Sequence, residues 1–184
     1  MRGQGWVCVL EWIVQFTVRQ YRPEDFLTLW QIDQACFPPE ISYTALELEM
    51  FIHRSGSFTL VAEAAQEAPR EQPPPEVNPS ILGFLIAAMR RHSGHLITID
   101  VRSEARRFRV GSALLDAAES RMRQGNCPVV RLETAVDNRA ALSFYKRHAY
   151  SVVKVVPRYY SNGVDALVLE KKLLSGPPSD TLLE

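Results

Sequence analysis

The stretch from His95 to Gln124 constrains this chain more than any other. His95-Leu96-Ile97-Thr98-Ile99-Asp100-Val101 is apolar enough for a strand at the centre of a sheet. It runs straight into the basic turn Arg102–Arg109, after which Val110, Ala113, Leu114 and Ala117 share one helical face and Gly125 closes the helix. The spacing predicts that helix from Arg106 to Gln124. A central strand that feeds a helix implies helices laid on a sheet, an α/β fold. Arg102–Ser112 carries four arginines and one glutamate. A helix N-terminus bears about half a positive charge, so each cation there costs roughly 0.3–1 kcal/mol unless an anion offsets it. The arrangement fits a phosphate-bearing ligand held by the free N–H groups of the first turn, with Gly111 allowing close approach. A basic turn that faces only water is the alternative reading.

The flanking sequence supplies the rest of the sheet. Phe16–Tyr21 alternates apolar and polar residues, and Arg22-Pro23-Glu24-Asp25 opens a helix carrying Phe26, Leu29, Trp30 and Ile32 that Cys36-Phe37-Pro38-Pro39 stops. A second helix uses Leu46, Met50 and Phe51. Ser57–Ala62 and Ile81–Ala87 read as strands. Between them, residues 66–80 contain five prolines and no apolar period, a Pro-rich hairpin insertion. Val129–Val136 is a strand, and Asp137-Asn138 caps a helix containing Ala141, Leu142, Phe144 and Tyr145. Tyr150–Val156 and Ala166–Lys171 close the order β-α-α-β-β-β-α-β-α-β-β.

A length of 184 residues and 46% hydrophobic content suit one domain with trimmings. Residues 16–173 are read as that domain, 1–15 as an N-terminal extension and 174–184 as a flexible tail. Twenty-one basic and 21 acidic residues cancel, so no global field draws the chain to nucleic acid or to an anionic membrane. The three cysteines are too few and too scattered for a disulfide framework or a zinc cluster, which points to a reducing cytoplasm. His53, His92, His95 and His148 lack metal-ligand spacing, so no metal is expected. Glu11 interrupts Trp6–Leu10, which argues against a signal-peptide core, and no apolar run reaches the ~18–20 residues of a membrane span.

Arg106-Arg107-Phe108-Arg109-Val110-Gly111, preceded by Ile99-Asp100-Val101 and followed by Ser112-Ala113-Leu114-Leu115, resembles the cofactor motif of the GNAT superfamily of acyl-CoA N-acyltransferases. That motif is a strand, then Gln/Arg-x-x-Gly-x-Gly/Ala, then a helix. Arg109 stands at the first glycine. Leu132-Glu133 on a strand, Asn138 as a cap, Ala141-Leu142-Ser143-Phe144-Tyr145 and His148-Ala149-Tyr150 are similar to the ribosomal-protein-alanine and related protein N-terminal acetyltransferases. Here Ala135 stands where an arginine is common, and His148-Ala149-Tyr150 replaces Leu-Gly-Phe. The resemblance covers about Phe16 to Leu173. It implies a mixed, mostly antiparallel central sheet with helices on both faces, and acetyl-CoA as cosubstrate. It also implies cofactor contacts from Ile99, Asp100, Val101, Arg106, Arg107, Phe108, Arg109, Val110, Gly111, Ser112 and Asn138, with Glu133 as proton acceptor and Tyr145 as proton donor. Phe37-Pro38 and Tyr159-Tyr160 look like the loops that line the peptide groove.

These roles are chemically sensible. An α-amino group, with an ordinary pKa near 8, loses its proton far more readily than a lysine near 10.4, so a carboxylate is base enough. Glu133 lies on a strand that reads as buried, where desolvation favours proton uptake. Tyr145, one turn beyond Ala141, is equally placed for core packing. The readings left open are transfer of acetyl to a protein or peptide N-terminus, transfer to a small amine or lysine, and a non-catalytic acyl-CoA-binding module.

Overall fold

The computed structural model describes residues 15–65, 77–90 and 93–174. In chain order they form β1 (Phe16–Gln20), α1 (Phe26–Cys36), α2 (Ala45–His53), β2 (Ser57–Ala64), β3 (Ile81–Arg90), β4 (Ser93–Val101), α3 (Val110–Gln124), β5 (Val129–Ala135), α4 (Arg139–Arg147), β6 (Ser151–Val156) and β7 (Ala166–Lys172). The succession matches the sequence reading. Most of the extension 1–15, the Pro-rich segment 66–80 and the tail 174–184 lies outside the described residues.

The strands make one sheet in the order β1-β2-β3-β4-β5-β7-β6. All neighbours run antiparallel except β4 and β5, which are parallel and paired only at Gly94↔Val130 and His95↔Arg131. On one face Leu114, Leu115 and Met122 of α3 and Tyr145 of α4 cluster with Leu85, Leu96, Val130 and Leu132 of the sheet; the other packs Leu29, Ile32, Leu48 and Ile52 of α1 and α2 on Val61, Phe84 and Ile86. Among the described residues, no helix is long and apolar enough to cross a membrane.

Local chemistry sets the element boundaries. Buried Asp25 accepts from the Arg22 N–H (2.8 Å) and from both terminal nitrogens of Arg19 (2.7 and 2.8 Å), which fixes the entry to α1. Thr44 and Glu47 cap α2 reciprocally: the Thr44 N–H donates to Glu47 (2.9 Å) and the Glu47 N–H to the Thr44 hydroxyl (3.2 Å). Asn138 Oδ1 accepts from the Ala141 N–H (3.1 Å) at the start of α4.

The predicted start of α3 at Arg106 is corrected to Val110. Arg107 (φ 70°) and Arg109 (φ 64°) adopt left-handed backbone, which ends the preceding turn and delays the helix. Ala149, after α4, is also left-handed (φ 64°). Both Arg109 and Ala149 occupy places where the family pattern has glycine. The left-handed cost to a side chain exceeds the extra unfolded-state freedom of glycine, so Ala149→Gly should stabilise the protein by about 0.5–1 kcal/mol. Urea unfolding would check this, and an unchanged or lower midpoint would contradict it.

A buried charged network ties α3 to β7. Glu119 is 2% exposed and accepts from Lys171 Nζ (2.6 and 2.8 Å), Arg123 (2.8 Å) and the Tyr150 hydroxyl (3.1 Å). Burial and the Glu119 charge push the Tyr150 phenol well above its ordinary range.

Candidate active site

Beyond His95, β4 and β5 separate, and among the described residues Leu96 and Thr98–Val101 pair only with β3. The register between β3 and β4 shifts there, from Ala87↔Leu96 to Ile86↔Thr98, which leaves Ile97 as an extra residue. Leu96 thus packs with the α3 cluster, whereas Thr98 and Asp100 lie opposite Ile86 and Phe84 of the α1–α2 cluster. The open edge of β4 meets the N-terminus of α3 at one end and β5 at the other.

At the β5 end, Glu133 Oε2 sits 2.7 Å from His95 Nε2. The Glu133 side chain is 24% exposed and that of His95 44% exposed. Glu133 is therefore less buried than the strand pattern predicts, and the imidazole rather than desolvation is the distinctive feature of its surroundings. Sequence reasoning assigned His95 no role; its separation of 38 residues from Glu133 hides the contact. Tyr145 is 5% exposed, between the rings of Phe144 (5.2 Å) and Tyr150 (5.4 Å). Burial and then the Asp100 charge hold its phenol well above the ordinary range, so it remains a hydrogen-bond donor.

At the α3 end, the first intrahelical bond is from the Ala113 N–H to Arg109 O (2.9 Å), which leaves the N–H groups of Val110, Gly111 and Ser112 free of intrahelical partners. Phe108 and Arg109 are exposed beside them. A Cβ on Gly111 would meet Phe144 at 3.6 Å and Val101 at 3.7 Å, ordinary contacts, so the protein itself has room for the alanine that the family motif allows. Arg106 reaches back to Val101 O (3.1 Å) and lies 3.7 Å from Cys36 Sγ, so it anchors the turn. Ser112 Oγ is 3.0 Å from His148 Nε2. Free N–H donors beside exposed arginines, next to an unpaired strand edge, suit a diphosphate with an extended arm.

On the other face, the α1–α2 loop holding Phe37 and Pro38 approaches the β6–β7 loop. The Ser161 hydroxyl donates to Glu40 O (2.7 Å), bridging the two. Tyr159 and Tyr160 meet edge-on at 5.1 Å in a turn closed by Gly163 (φ 79°). Burial, then Tyr159 and Glu133, push Tyr160 up to about 12. Tyr43 joins them as a residue the sequence reading missed. Its N–H donates to Asp33 (2.8 Å), its carbonyl accepts from Trp30 (3.2 Å) and Gln34 (2.8 Å), and burial followed by Asp100 raises its phenol well above the ordinary range.

The model of the acetyltransferase (GNAT) family matches residues 26–150. An uncharacterized N-acetyltransferase of Methanocaldococcus jannaschii is 35% identical over 53% of this chain and 63% of its own length. N-alpha-acetyltransferase 30 of Xenopus laevis is 33% identical over 70% of this chain and 44% of its own length. The chain thus spans roughly half the length of the curated relatives it matches. Among solved structures, Ard1 from Thermoplasma volcanium superposes with a TM-score of 0.75 at 27% identity, covering 88% of this chain and 100% of that one. The NatC complex bound to Gag peptide and CoA superposes at 0.72 and 21% identity, over 87% and 99%. The parted strands, the free N–H groups of α3 and the family match over most of the described chain agree: this chain belongs to the acetyltransferase (GNAT) family.

Proposed function

We propose that this protein is an acetyl-CoA-dependent N-acetyltransferase, carried by residues 16–173, that modifies the α-amino group of a protein or peptide in the cytoplasm by direct transfer. The observation that carries the reading is the parting of β4 from β5, with Glu133 and His95 at one end of the opening and the free N–H groups of α3 at the other. Acetyl-CoA supplies an activated thioester to this opening. Val110, Gly111 and Ser112 hold its diphosphate by backbone N–H groups, Arg107, Phe108 and Arg109 flank it, and Ile99, Asp100 and Val101 offer backbone polar groups to its arm. Arg106 supports this loop from behind, and Asn138 keeps α4 in place beside it. Glu133, bonded to His95, takes a proton from the acceptor amine, and Tyr145 donates to the departing sulfur. Phe37, Pro38, Tyr159 and Tyr160 enclose the acceptor, and no metal is required.

The names of the relatives and the peptide and CoA in the NatC structure support the α-amine reading over a small-amine or lysine acceptor. Acetyl-CoA at 100 times its dissociation constant should stabilise the fold by about 2.7 kcal/mol. Thiol release should follow with peptides bearing a free α-amine. No thermal shift at millimolar acetyl-CoA would remove the reading, and release with polyamines alone would redirect it to small amines.

A further inference from the structure

His95 stands on the last rung before β4 and β5 part, in register with Arg131, two residues before Glu133. Leu96 and Leu132 pack in the α3 cluster, so strand alternation turns His95 and Glu133 to the opposite face of the sheet. That face carries the Tyr159–Tyr160 loop, whose phenols feel the Glu133 charge. There His95 Nε2 and Glu133 Oε2 lie 2.7 Å apart, and the ring is the more exposed of the two side chains, at 44% against 24%.

The neighbouring charges are otherwise engaged. Arg131, on the same face of β5, gives its guanidinium to Glu170 (2.7 Å), and Asp137 adds its negative charge beside Tyr160. Among the described residues, His95 is the only basic side chain bonded to Glu133.

Proton balance gives this contact a task. An acceptor that arrives as an ammonium loses two protons on becoming an amide: ammonium and thioester give amide, thiol and one free proton. One proton from the nitrogen replaces the one that Tyr145 passes to sulfur. The other goes to Glu133, which cannot serve the next acceptor until it has lost it. Imidazole is ordinarily a stronger base than a carboxylate, and it has a second nitrogen from which to release a proton.

We propose that His95 is the proton outlet of the site: Nε2 takes from Glu133 the proton that left the acceptor, and Nδ1 gives one up to water. Tautomer exchange through solvent then resets the ring. The proposal rests on the amine-acceptor reading with Glu133 as base. His95 acts through Glu133 and touches no substrate.

His95→Gln keeps a side chain that can donate to Glu133 but cannot carry a proton. Its kcat should fall about tenfold, with the acceptor KM and the Kd for coenzyme A within about threefold of wild type. His95→Ala should lose a similar factor and leaves the place of the ring open to solvent. Imidazole at millimolar concentration should raise its kcat at least about threefold, and should raise neither wild type nor Glu133→Gln. The acceptor is whichever peptide wild type acetylates best in a library of N-terminal sequences. Wild-type kcat in His95→Gln, or a His95→Ala enzyme that imidazole does not revive, would overturn the proposal and reduce the ring to a support for Glu133. Failure of the amine-acceptor reading shows separately, as a wild-type protein that acetylates no amine, and takes the outlet with it.

Discussion

Glu133→Gln is expected to lower kcat about 100-fold while leaving the Kd for coenzyme A unchanged, because a positioned general base contributes roughly that factor or more. Glutamine keeps the shape of the side chain and can still bond to His95, but it cannot accept the amine proton. Tyr145→Phe should act on the same step with a smaller loss, since the phenol only assists a thiolate that is already a good leaving group. The loss should appear in kcat rather than in cofactor affinity, since Glu133 lies at the β5 end of the opening and the α3 N–H groups at the other. Full turnover in both variants would discard the proposed base and acid together. His95→Phe removes the partner of Glu133 without touching the base, so its kcat should fall between wild type and Glu133→Gln.

The largest effect on stability is expected at Glu119. Removing one member of a buried charged cluster leaves its buried partners desolvated and unpaired, and Glu119→Ala strands Lys171 and the Tyr150 hydroxyl at once while releasing the exposed Arg123 to water. The expected cost is about 3–5 kcal/mol, which lowers Tm by roughly 10 °C in a chain of this size. Glu119→Ala combined with Lys171→Met should recover part of the loss, because the second change withdraws the stranded ammonium. A Glu119→Ala midpoint within a degree of wild type would mean that the cluster is solvated and contributes little. Acetyl transfer measured well below Tm should fall by less than in Glu133→Gln, since the cluster joins α3 to β7 and reaches the opening only through the Tyr150 ring, 5.4 Å from that of Tyr145.

Much of the architecture is legible in the residues. Pro23 marks a helix start by its fixed φ and Asn138 by its side-chain cap, and the apolar periods assign every strand and helix in order, whereas the Thr44–Glu47 cap of α2 is a finding of the structure. Legibility fails where backbone conformation departs from residue type. Arginine at positions 107 and 109 reads as the first turn of a helix, yet both take the left-handed conformation usually left to glycine, so α3 starts four residues later. The extra residue at Ile97 is equally silent in the sequence, and it turns Asp100 toward α1 and Asp33 instead of toward α3. The His95–Glu133 contact and the Glu119–Lys171 pair are made by residues 38 and 52 apart. No local period announces either one, and a charged residue on an amphipathic helix reads as solvated until its tertiary partner is known.

The most direct measurement is acetyl transfer from acetyl-CoA to a peptide library that presents every first residue, each peptide carrying one free α-amine and one internal lysine, with the modified nitrogen located by tandem mass spectrometry. The account predicts acetylation at the α-amine of a subset of first residues, abolished by Glu133→Gln. Acetyl found on the lysine alone, or coenzyme A binding without transfer to any peptide, would contradict it.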